Sequence, residues 1–426
     1  MALVVLLTPV VAHGAKPGDL DRSFSRNGKA MTDFGASDSA NAVAIDARDR
    51  SVVAGYDYSA TEDEYLFALA RYRRSGKLDR SFSADGRVET KFGDAYGDAA
   101  TSVAVDSQGR IVAAGSLNPD FPDGFALARY LPDGSLDPSF GDHGTVTLSF
   151  GGREQQANAM AVDSQDRIVL AGSVLRAPPP TWSSAWALAR YLPDGSLDDS
   201  FGSAGKLTTD FGTPFDEARS VMIDSDDRIV AAGRRALGGE GGRYFGAFGL
   251  VRYTSTGALD PSFGTSGEVA TEPRERDAEP TAAAIDAHGR IVVAGLDGPG
   301  FTLVRYEPDG RIDSAFGVGG HVTTRFGNAN ATPSSVTVDS RGRIIAAGTV
   351  SRRHRSSDFA VARYRGDGSL DRSFSGNGKA NTDFGGRGRD LDGARSVAVD
   401  SQNRIVAAGS DTGDFAVARY IGYRDR

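Results

Sequence analysis

Three short strings recur seven times along this 426-residue chain, at spacings of 53 to 62 residues. The first begins with Leu-Asp or Ile-Asp and ends in Phe, at residues 20–24, 78–82, 136–140, 197–201, 259–263, 312–316 and 370–374. The second is typified by VDSQGRIVAAG at 105–115 and the third by ALARY at 126–130. A period of this length indicates a repeat architecture, in which each unit contributes one supersecondary element to a shared core.

Each unit has the residue pattern of four short β-strands. In the unit that starts near residue 101, TSVAVD alternates apolar and polar residues, RIVAAGS and FALARY are largely apolar, and TVTLSFG ends the unit. Gly, Asp and Pro fill the connections, as expected for turns. No segment has the 3.6-residue period of a helix. Four strands repeated seven times predict an all-β fold, a seven-bladed β-propeller of four-stranded blades.

The composition agrees with a fold of strands and turns. The acidic residues are mostly Asp (45, against 11 Glu) and the basic residues mostly Arg (42, against 6 Lys), whereas Glu and Lys are common in exposed helices. The 54 glycines follow no Gly-X-Y period, which excludes a collagen, and the absence of cysteine excludes a disulfide-stapled scaffold. A net charge of −8 argues against nucleic acid as a partner.

The two ends of the chain complement each other. The last unit stops at Tyr420, after its third strand, and the chain begins with the connection and the fourth strand that should follow. We therefore predict that residues 28–34 form the outer strand of a blade whose other three strands come from residues 394–420. Such a closure leaves no exposed strand edge in the ring.

The order of LDxSFGxxGxVTxxFG, AVDSQGRIVAAGS and FALARY resembles the delta-60 repeat, a bacterial β-propeller repeat family, over residues 18–420. The resemblance implies the propeller fold and frequent export, and it implies no established activity. One unit departs from the pattern, because GEVATEPRER at 267–276 lacks the Phe-Gly that ends the other fourth strands.

Residues 1–15, MALVVLLTPVVAHGA, combine an apolar run with small residues, which predicts a secretory signal peptide. No Lys or Arg precedes Lys16, so a buried strand is the alternative interpretation. The apolar run is shorter than the ~20 residues that a membrane span needs. Residues 16–426 are then one seven-bladed propeller of delta-60-like repeats. We expect it to be secreted or associated with the cell envelope, monomeric, and without a membrane span.

Two sets of arginines and two sets of aspartates recur at fixed places. In one unit they are Arg129 in the third strand, Arg110 at the start of the second, Asp106 after the first, and Asp137 in the LD string. A buried Arg requires acceptors, and its guanidinium fits a carboxylate. We interpret these sets as ion pairs that hold each blade together. Seven anion-binding sites are the alternative.

Length variation is concentrated in two of the four connections. The interval from the second-strand Gly to the third-strand Arg ranges from 10 to 19 residues, whereas the interval across the first and second strands is nine in every unit. The second-to-third and fourth-to-first connections share one face of a propeller, so we assign binding to that face. The predicted binding residues are Trp182, Tyr244, Arg235, Tyr58 and Arg353. The expected ligand is a glycan, a peptide or a protein or other component of the cell envelope.

We predict a non-catalytic binding or structural propeller, because seven near-equivalent units contain no unique catalytic cluster. The alternative is a propeller hydrolase or lyase that uses carboxylates at the mouth of the central channel, with Glu154, Asp216 and Glu217 as candidate acids. The sequence predicts no cofactor and no metal site, because Cys is absent, His is scattered and the turns lack EF-hand spacing. A weak calcium site in the propeller is the alternative that stays open. One asymmetric carboxylate cluster or a metal would favour the enzyme, and seven similar polar residues around the channel would favour binding.

Overall fold

The computed structural model describes residues 15–61, 63–92, 97–117, 124–151, 153–177, 183–238, 244–274, 277–351, 356–385 and 392–423. These residues form 28 β-strands in seven antiparallel sheets of four strands each. The prediction of an all-β, seven-bladed propeller is confirmed. The described residues contain no helix that is long and apolar enough to cross a bilayer.

Six blades take their four strands in chain order, from the inside of the ring outwards. Blade 1 contains β2 (Asp38–Ile45), β3 (Ser51–Ser59), β4 (Glu64–Tyr72) and β5 (Arg87–Thr90). Blade 2 contains β6 (Asp98–Val105), β7 (Ile111–Leu117), β8 (Gly124–Tyr130) and β9 (Thr145–Leu148). Blade 3 contains β10 (Arg153–Val162), β11 (Ile168–Ala177), β12 (Ser183–Tyr191) and β13 (Lys206–Thr209).

The next three blades repeat this arrangement. Blade 4 contains β14 (Glu217–Ile223), β15 (Ile229–Gly238), β16 (Tyr244–Tyr253) and β17 (Glu268–Thr271). Blade 5 contains β18 (Glu279–Ile285), β19 (Ile291–Leu296), β20 (Phe301–Tyr306) and β21 (His321–Thr324). Blade 6 contains β22 (Asn330–Val338), β23 (Ile344–Ser351), β24 (Ser357–Tyr364) and β25 (Lys379–Thr382). The outer strand β17 belongs to the unit that lacks Phe-Gly, and it still pairs with β16.

Blade 7 is built from both ends of the chain. It contains β26 (Gly393–Val399), β27 (Ile405–Asp411) and β28 (Asp414–Tyr420), and its outer strand is β1 (Lys29–Thr32). The register of β1 on β28 runs from Lys29 opposite Ala418 to Thr32 opposite Phe415. The predicted closure by residues 28–34 is therefore confirmed. The seven first strands contact one another in a closed circuit, in which β26 contacts β2, so they form the inner ring.

The core lies between neighbouring blades. The cluster between blades 1 and 2 contains Phe67, Phe92 and Tyr130 among its buried residues. The ring centroids of Phe67 and Phe92 are 4.7 Å apart. The Tyr130 hydroxyl is hydrogen-bonded over 2.7 Å to Thr90 Oγ1, on the outer strand of the preceding blade. Apolar packing and a buried hydrogen bond thus join the same two blades.

The recurring glycine within each second strand lies beside a β-bulge. In all seven blades the register between the first and second strands shifts by one residue at this level. A Cβ on Gly115 would lie 1.9 Å from the carbonyl oxygen of Ala99 on the paired strand. Close approach of two backbones therefore explains why this position is Gly in every unit.

The predicted ion pairs are present and join each blade to the next. The guanidinium of Arg129 donates through Nε to Asp137 Oδ2 at 2.9 Å, through Nη2 to Ser139 Oγ at 3.3 Å, and through Nη1 to the carbonyl of Pro193 in blade 3. The side chain of Arg129 is 2% exposed. At the closure, Arg419 repeats this arrangement with Asp21. The structural interpretation of these residues accounts for every polar contact of the guanidinium.

Acid should weaken the ring through the aspartates of the LD strings. Burial acts to raise the pKa of Asp137, but hydrogen bonds from Ser139 and the charge of Arg129 outweigh it and lower the pKa. The pKa is likewise lowered at Asp21, Asp79, Asp198, Asp260 and Asp371. A lowered pKa in the folded state adds stability above the unfolded-state value of about 3.9, and that stability is lost as the pH falls further.

We therefore expect the urea midpoint of unfolding to fall between about pH 4 and pH 2. Asp137→Asn, which cannot titrate, should give a shallower fall than the parent over the same interval. A midpoint that stays constant from pH 4 to pH 2 would contradict this account.

Candidate functional site on the variable-loop face

The connections between strands are of two kinds, and each kind lies on its own face of the ring. The short turns after the first and third strands carry the Arg–Asp pairs, and we call their side the invariant face. The second-to-third and fourth-to-first connections lie on the other side, which we call the variable-loop face. The blade ends on this face are where the predicted site residues lie.

The structure places the five predicted binding residues in different surroundings. Trp182 and Arg353 lie outside the described residues. Tyr58 is half-buried in blade 1, where its hydroxyl donates to Asp63. Arg235 and Tyr244 are both in blade 4, so blade 4 unites two predicted residues and Tyr58 lies apart from them.

Arg235 is engaged by its own neighbours. Its Nη1 lies 3.0 Å from Glu268 Oε2, and its guanidinium carbon lies 4.4 Å from the centroid of the Phe211 ring in blade 3. These contacts explain the position of the Arg235 side chain by structural interactions alone. Tyr244 differs, because it opens β16 and is 47% exposed.

An aromatic side chain that the sequence did not single out is also exposed on the variable-loop face. Phe215, in the connection between blades 3 and 4, is 55% exposed and has a backbone φ of +66°. Positive φ is unusual for a bulky residue and marks positions where the surroundings impose a conformation, often at functional sites. Arg234 Nη1 donates to the Phe215 carbonyl at 3.1 Å. No sequence signal identifies Phe215, because its exposure follows from this backbone conformation.

Arg234 connects Phe215 to carboxylates of the next blade. Its guanidinium carbon lies 5.9 Å from the Phe215 ring centroid, its Nη2 lies 3.6 Å from Asp277 Oδ1, and its Nε lies 3.2 Å from Glu279 Oε1. The side chains of Asp277 and Glu279 are 54% and 38% exposed. We call Phe215, Arg234, Tyr244, Asp277 and Glu279 the blade 4 patch. It offers aromatic surface beside accessible hydrogen-bond acceptors.

The three candidate catalytic acids do not form one cluster of free carboxylates. Glu154 is exposed, with a φ of +50°. Glu217 accepts a hydrogen bond from Asn158 Nδ2 at 3.0 Å and pairs with Arg219 at 2.8 Å. Glu154 is therefore open to solvent, and Glu217 is held by neighbouring side chains rather than directed at an open site.

Asp216 is buried and has structural partners. Its side chain accepts from the Ala236 amide and from Thr213 Oγ1, each at 2.8 Å. Burial raises the pKa of Asp216 to about 6, although both hydrogen bonds act to lower it. The residue is 1% exposed, so substrate does not reach it in this conformation.

Residues equivalent to Asp216 hold the fourth-to-first connections in place by accepting hydrogen bonds from backbone amides. We call this interaction the fastening of the connection. The Phe92 amide donates to Asp98 Oδ2 at 2.9 Å, and the Phe384 amide donates to Asp392 Oδ2 at 2.8 Å. In blade 5 the acceptor instead comes from the second strand, where Asp297 Oδ2 accepts from the Arg274 amide at 2.9 Å. One carboxylate in either place is therefore enough for this fastening.

Two neighbouring junctions contain more carboxylates than the fastening requires. Four residue positions can be compared at every junction between blades. Two of them are the residue after the fourth strand and the third-strand residue that faces it. The other two are the fastening position, which is the residue equivalent to Asp216, and the second-strand residue that faces the fastening position. All four are Asp between blades 7 and 1 (Asp33, Asp414, Asp38 and Asp57) and between blades 6 and 7 (Asp383, Asp358, Asp392 and Asp411). At the other five junctions, all within the described residues, at most two of the four are acidic. We call these sets the seam quartet and the second quartet.

The carboxylates of the seam quartet converge. One oxygen from each of Asp33, Asp38 and Asp414 lies within 4.8 Å of the other two. Asp38 is 2% exposed, and Asp57, which faces it across the strands, is 4% exposed. Burial raises the pKa of Asp38 to about 8, and a hydrogen bond with Asp57 and the charges of Asp57 and Asp33 act in the same direction. The quartet thus concentrates carboxyl groups in a poorly solvated place, which favours the protonated form of Asp38.

The second quartet has the same backbone geometry. The Asp392 amide donates to the Ser357 carbonyl at 3.2 Å, as the Asp38 amide donates to the Gly413 carbonyl at 2.5 Å. Burial raises the pKa of Asp392 to about 7, with a hydrogen bond to Asp411 and the charges of Asp411 and Asp383 adding to it. The two sites are therefore equivalent by position, but among the described residues only the seam quartet brings three carboxylate oxygens within 4.8 Å of one another.

The inner ring is polar and lacks such a cluster. The residue at the bulge of each first strand is polar in all seven blades: Asn41, Thr101, Asn158, Arg219, Thr281, Ser334 and Arg395. Asn41 Nδ2 donates to the Ala100 carbonyl of the next blade at 2.9 Å, and Thr101 Oγ1 donates to the Ala157 carbonyl at 2.9 Å. Side chains at this position thus join neighbouring first strands.

Five of the seven repeats match the model of a β-propeller domain of unknown function, DUF5122, over residues 107–140, 166–201, 225–263, 289–316 and 342–374. Each match runs from the first turn of a unit to the Phe of its LD string. These repeats are therefore similar to those of the DUF5122 β-propeller family. The resemblance to a repeat family without an established activity is confirmed.

Several solved structures match the chain at low identity and with TM-scores below 0.5. An acylaminoacyl peptidase from Pyrococcus horikoshii matches with 10% identity and a TM-score of 0.49, over 91% of this chain and 53% of that chain. A protein of unknown function from Dyadobacter fermentans matches with 12% identity and a TM-score of 0.47, over 79% and 98%. A gluconolactonase from Xanthomonas campestris matches with 14% identity and a TM-score of 0.35, over 74% and 96%.

The chain spans about half the length of the peptidase chains that it matches. At these identities the similarity concerns the fold alone. No curated protein matches the chain in sequence.

Proposed function

We propose that this protein is a secreted or cell-envelope-associated, non-catalytic binding propeller, and that its ligand is a glycan bound at the blade 4 patch. The observation that carries the proposal is the pair of exposed aromatic rings, Phe215 and Tyr244, at the variable-loop end of one blade. Exposed rings supply a flat apolar surface at low entropic cost. Sugar rings have matching apolar faces.

The charged residues of the patch fit the hydroxyl groups of a sugar. Asp277 and Glu279 are partly exposed and provide acceptors, while Arg234 holds them beside the Phe215 ring. The patch combines aromatic and polar side chains, which is typical of a binding site with a few oriented polar groups.

The hydrolase or lyase alternative has weaker support. Glycoside hydrolysis needs two carboxyl groups facing one bond, about 5–9.5 Å apart. The acids considered for this role are paired with Arg219 and Asn158 (Glu217), occupied by Ala236 and Thr213 (Asp216), or exposed (Glu154). The recurring polar set at the inner ring also favours binding over carboxylate chemistry.

The proposal is tested by screening the purified protein against a panel of bacterial envelope polysaccharides, peptidoglycan fragments and unstructured peptides. We expect a glycan to bind, and we expect Phe215→Ala and Tyr244→Ala each to weaken it by about 5- to 10-fold, the effect of one aromatic contact. Val318→Ala is the matched control, since Val318 is 77% exposed and lies on the invariant face.

Three results would reject parts of this proposal. Binding of peptides alone would reject the glycan as ligand. Unchanged affinity in both aromatic variants would reject the blade 4 patch. Cleavage of a bound glycan that Asp216→Asn abolishes would replace the binding function with the hydrolase.

A further inference from the structure

A cleft opens between blades 1 and 2 on the invariant face, beside the turn that follows the first strand. It has a volume of about 480 Å³, and Asp46, Arg48 and Arg50 of blade 1 line one side of it. Arg50 Nε donates to Asp46 Oδ2 at 2.6 Å, and Arg48 is exposed. We call this space the blade 1–2 cleft. It presents a fixed guanidinium–carboxylate pair and a second, accessible guanidinium.

At the corresponding place between blades 6 and 7, an aromatic residue of this chain lies against the same kinds of side chain. The ring centroid of Tyr423 lies 3.5 Å from the guanidinium carbon of Arg341 and 3.8 Å from that of Arg343. The Tyr423 hydroxyl donates to Asp339 Oδ2 at 3.1 Å, and Arg343 Nε donates to the same oxygen at 2.7 Å. We call this place the blade 6–7 cleft, and it shows which group the arrangement accepts.

The two clefts have the same three side chains at the same places in the repeat. The string DARDR at 46–50 corresponds to DSRGR at 339–343, so that Arg48 corresponds to Arg341. The other five units have a different residue at this position: Gln108, Gln165, Asp226, His288 and Gln402. Only blades 1 and 6 therefore combine the recurring Arg–Asp pair with a second arginine.

Tyr423 is additional to the turn that the repeat requires after a third strand. In blade 2 the Asp133 carbonyl accepts the Ser83 amide, and at the closure the Pro17 carbonyl accepts the Ser375 amide in the same way. The N-terminal segment thus completes the turn, and Tyr423 contacts the arginines instead. The described residues that line the blade 1–2 cleft include no aromatic residue. A ring at that place has to come from another molecule.

The blade 1–2 cleft also lacks a hydrogen bond that crosses between its blades. In the blade 6–7 cleft, Ser340 Oγ donates to Asn403 Oδ1 at 2.8 Å. Ala47 and Gly109 have the corresponding positions in the blade 1–2 cleft, and neither has a side chain that can form a hydrogen bond. The small residues leave this side of the cleft open.

We propose that the blade 1–2 cleft binds a tyrosine side chain of a partner protein. The ring lies against the guanidinium groups of Arg48 and Arg50, and the hydroxyl donates to Asp46, as the Tyr423 hydroxyl donates to Asp339. Guanidinium groups stack on aromatic faces, and the negative face of the ring attracts their charge. This site is independent of the proposed glycan binding, because it lies on the invariant face.

The test uses the chain's own end as the probe. An acetylated and amidated peptide Ile-Gly-Tyr-Arg, the sequence of residues 421–424, is equilibrated with the whole chain by dialysis. We expect one peptide per chain, with a dissociation constant of about 0.1–1 mM. The peptide with Ala in place of Tyr should bind at least about 10-fold more weakly. The peptide with Phe in place of Tyr should bind about 3- to 5-fold more weakly, because it lacks the hydroxyl donor.

Variants separate peptide binding from a merely structural role. Arg48→Gln introduces the residue that blade 2 has at this position, so it should melt like the parent while its affinity falls at least about 10-fold. Arg311→Gln is the matched control, because the Arg311 side chain is 81% exposed and lies outside the cleft. It should bind the peptide like the parent.

A third variant tests whether the two clefts are equivalent. Tyr423→Ala empties the blade 6–7 cleft, so this variant should bind two peptides per chain. Tyr423→Ala combined with Arg48→Gln should bind one.

The proposal is overturned if the Tyr and Ala peptides bind the parent with the same affinity, or if Arg48→Gln binds the Tyr peptide as tightly as the parent does. It is also overturned if the parent binds no peptide and Tyr423→Ala binds one. That result would show that the second arginine serves only the chain's own end.

Discussion

Deletion of residues 16–35 is expected to abolish the cooperative unfolding of this propeller. The deletion removes β1, so that β28 becomes an exposed edge with unpaired backbone groups. It also removes Asp21, whose Oδ2 accepts Nε of Arg419 at 2.9 Å, and Phe24, whose ring centroid lies 4.7 Å from the same guanidinium. Arg419, which is 2% exposed, would lose its carboxylate partner while staying buried.

The measurement is calorimetric and chemical unfolding of the deleted chain beside a chain that begins at residue 15. We expect the control to unfold in one transition. The deleted chain should give a broad transition with a lower slope in urea, and it should aggregate through the open edge of blade 7. A deleted chain that melts like the control would show that the closure seen at β1 does not carry the stability of the ring.

Replacement of Arg129 by Met should destabilise the protein by about 3–5 kcal/mol, the usual cost of removing one partner of a buried ion pair. Asp137 would stay buried at 3% exposure, with Arg110 Nη1 at 3.9 Å as its remaining cation. The Pro193 carbonyl in blade 3 would lose its donor as well. The substitution therefore weakens both a blade and its junction with the next.

The comparison variant is Arg311→Met. Arg311 Nη2 lies 2.7 Å from Asp309 Oδ2, but the Arg311 side chain is 81% exposed. An exposed pair contributes about 0–1 kcal/mol, so urea unfolding should barely change. Equal losses in the two variants would mean that the buried position of Arg129 is unimportant, contrary to the role argued here.

The fold could be predicted from the sequence because its determinants are local and repeated. The strand pattern and the turn residues recur seven times, so seven segments of the chain support the same assignment of strands and turns. The last unit ends at Tyr420 without a fourth strand, and this also indicated that the N-terminal segment supplies the missing strand. The presence of ion pairs could be predicted from the Arg and Asp sets that recur in every unit, and the structure shows that Arg129 pairs with Asp137.

The quartets were less accessible to sequence reasoning, because each joins residues from two blades. Asp33 and Asp414 are 381 positions apart, and no local pattern connects them. One signal does exist. Asp57 and Asp411 each stand two residues after the recurring second-strand glycine, where four of the other units have an apolar residue or Arg and one has Asp297. Only the strand register shows that Asp38 faces this position.

The join in blade 7 also determines how the molecule can be oriented. Gly18 donates its amide to the Ile421 carbonyl at 2.8 Å, so the chain enters and leaves the ring side by side, in the connection that follows a third strand. That connection belongs to the invariant face. A tether fused before Gly18 or after Ile421 would leave from this side and would direct Phe215 and Tyr244 away from the anchoring surface. Immobilisation through either end therefore leaves the variable-loop face directed away from the support and open to solvent.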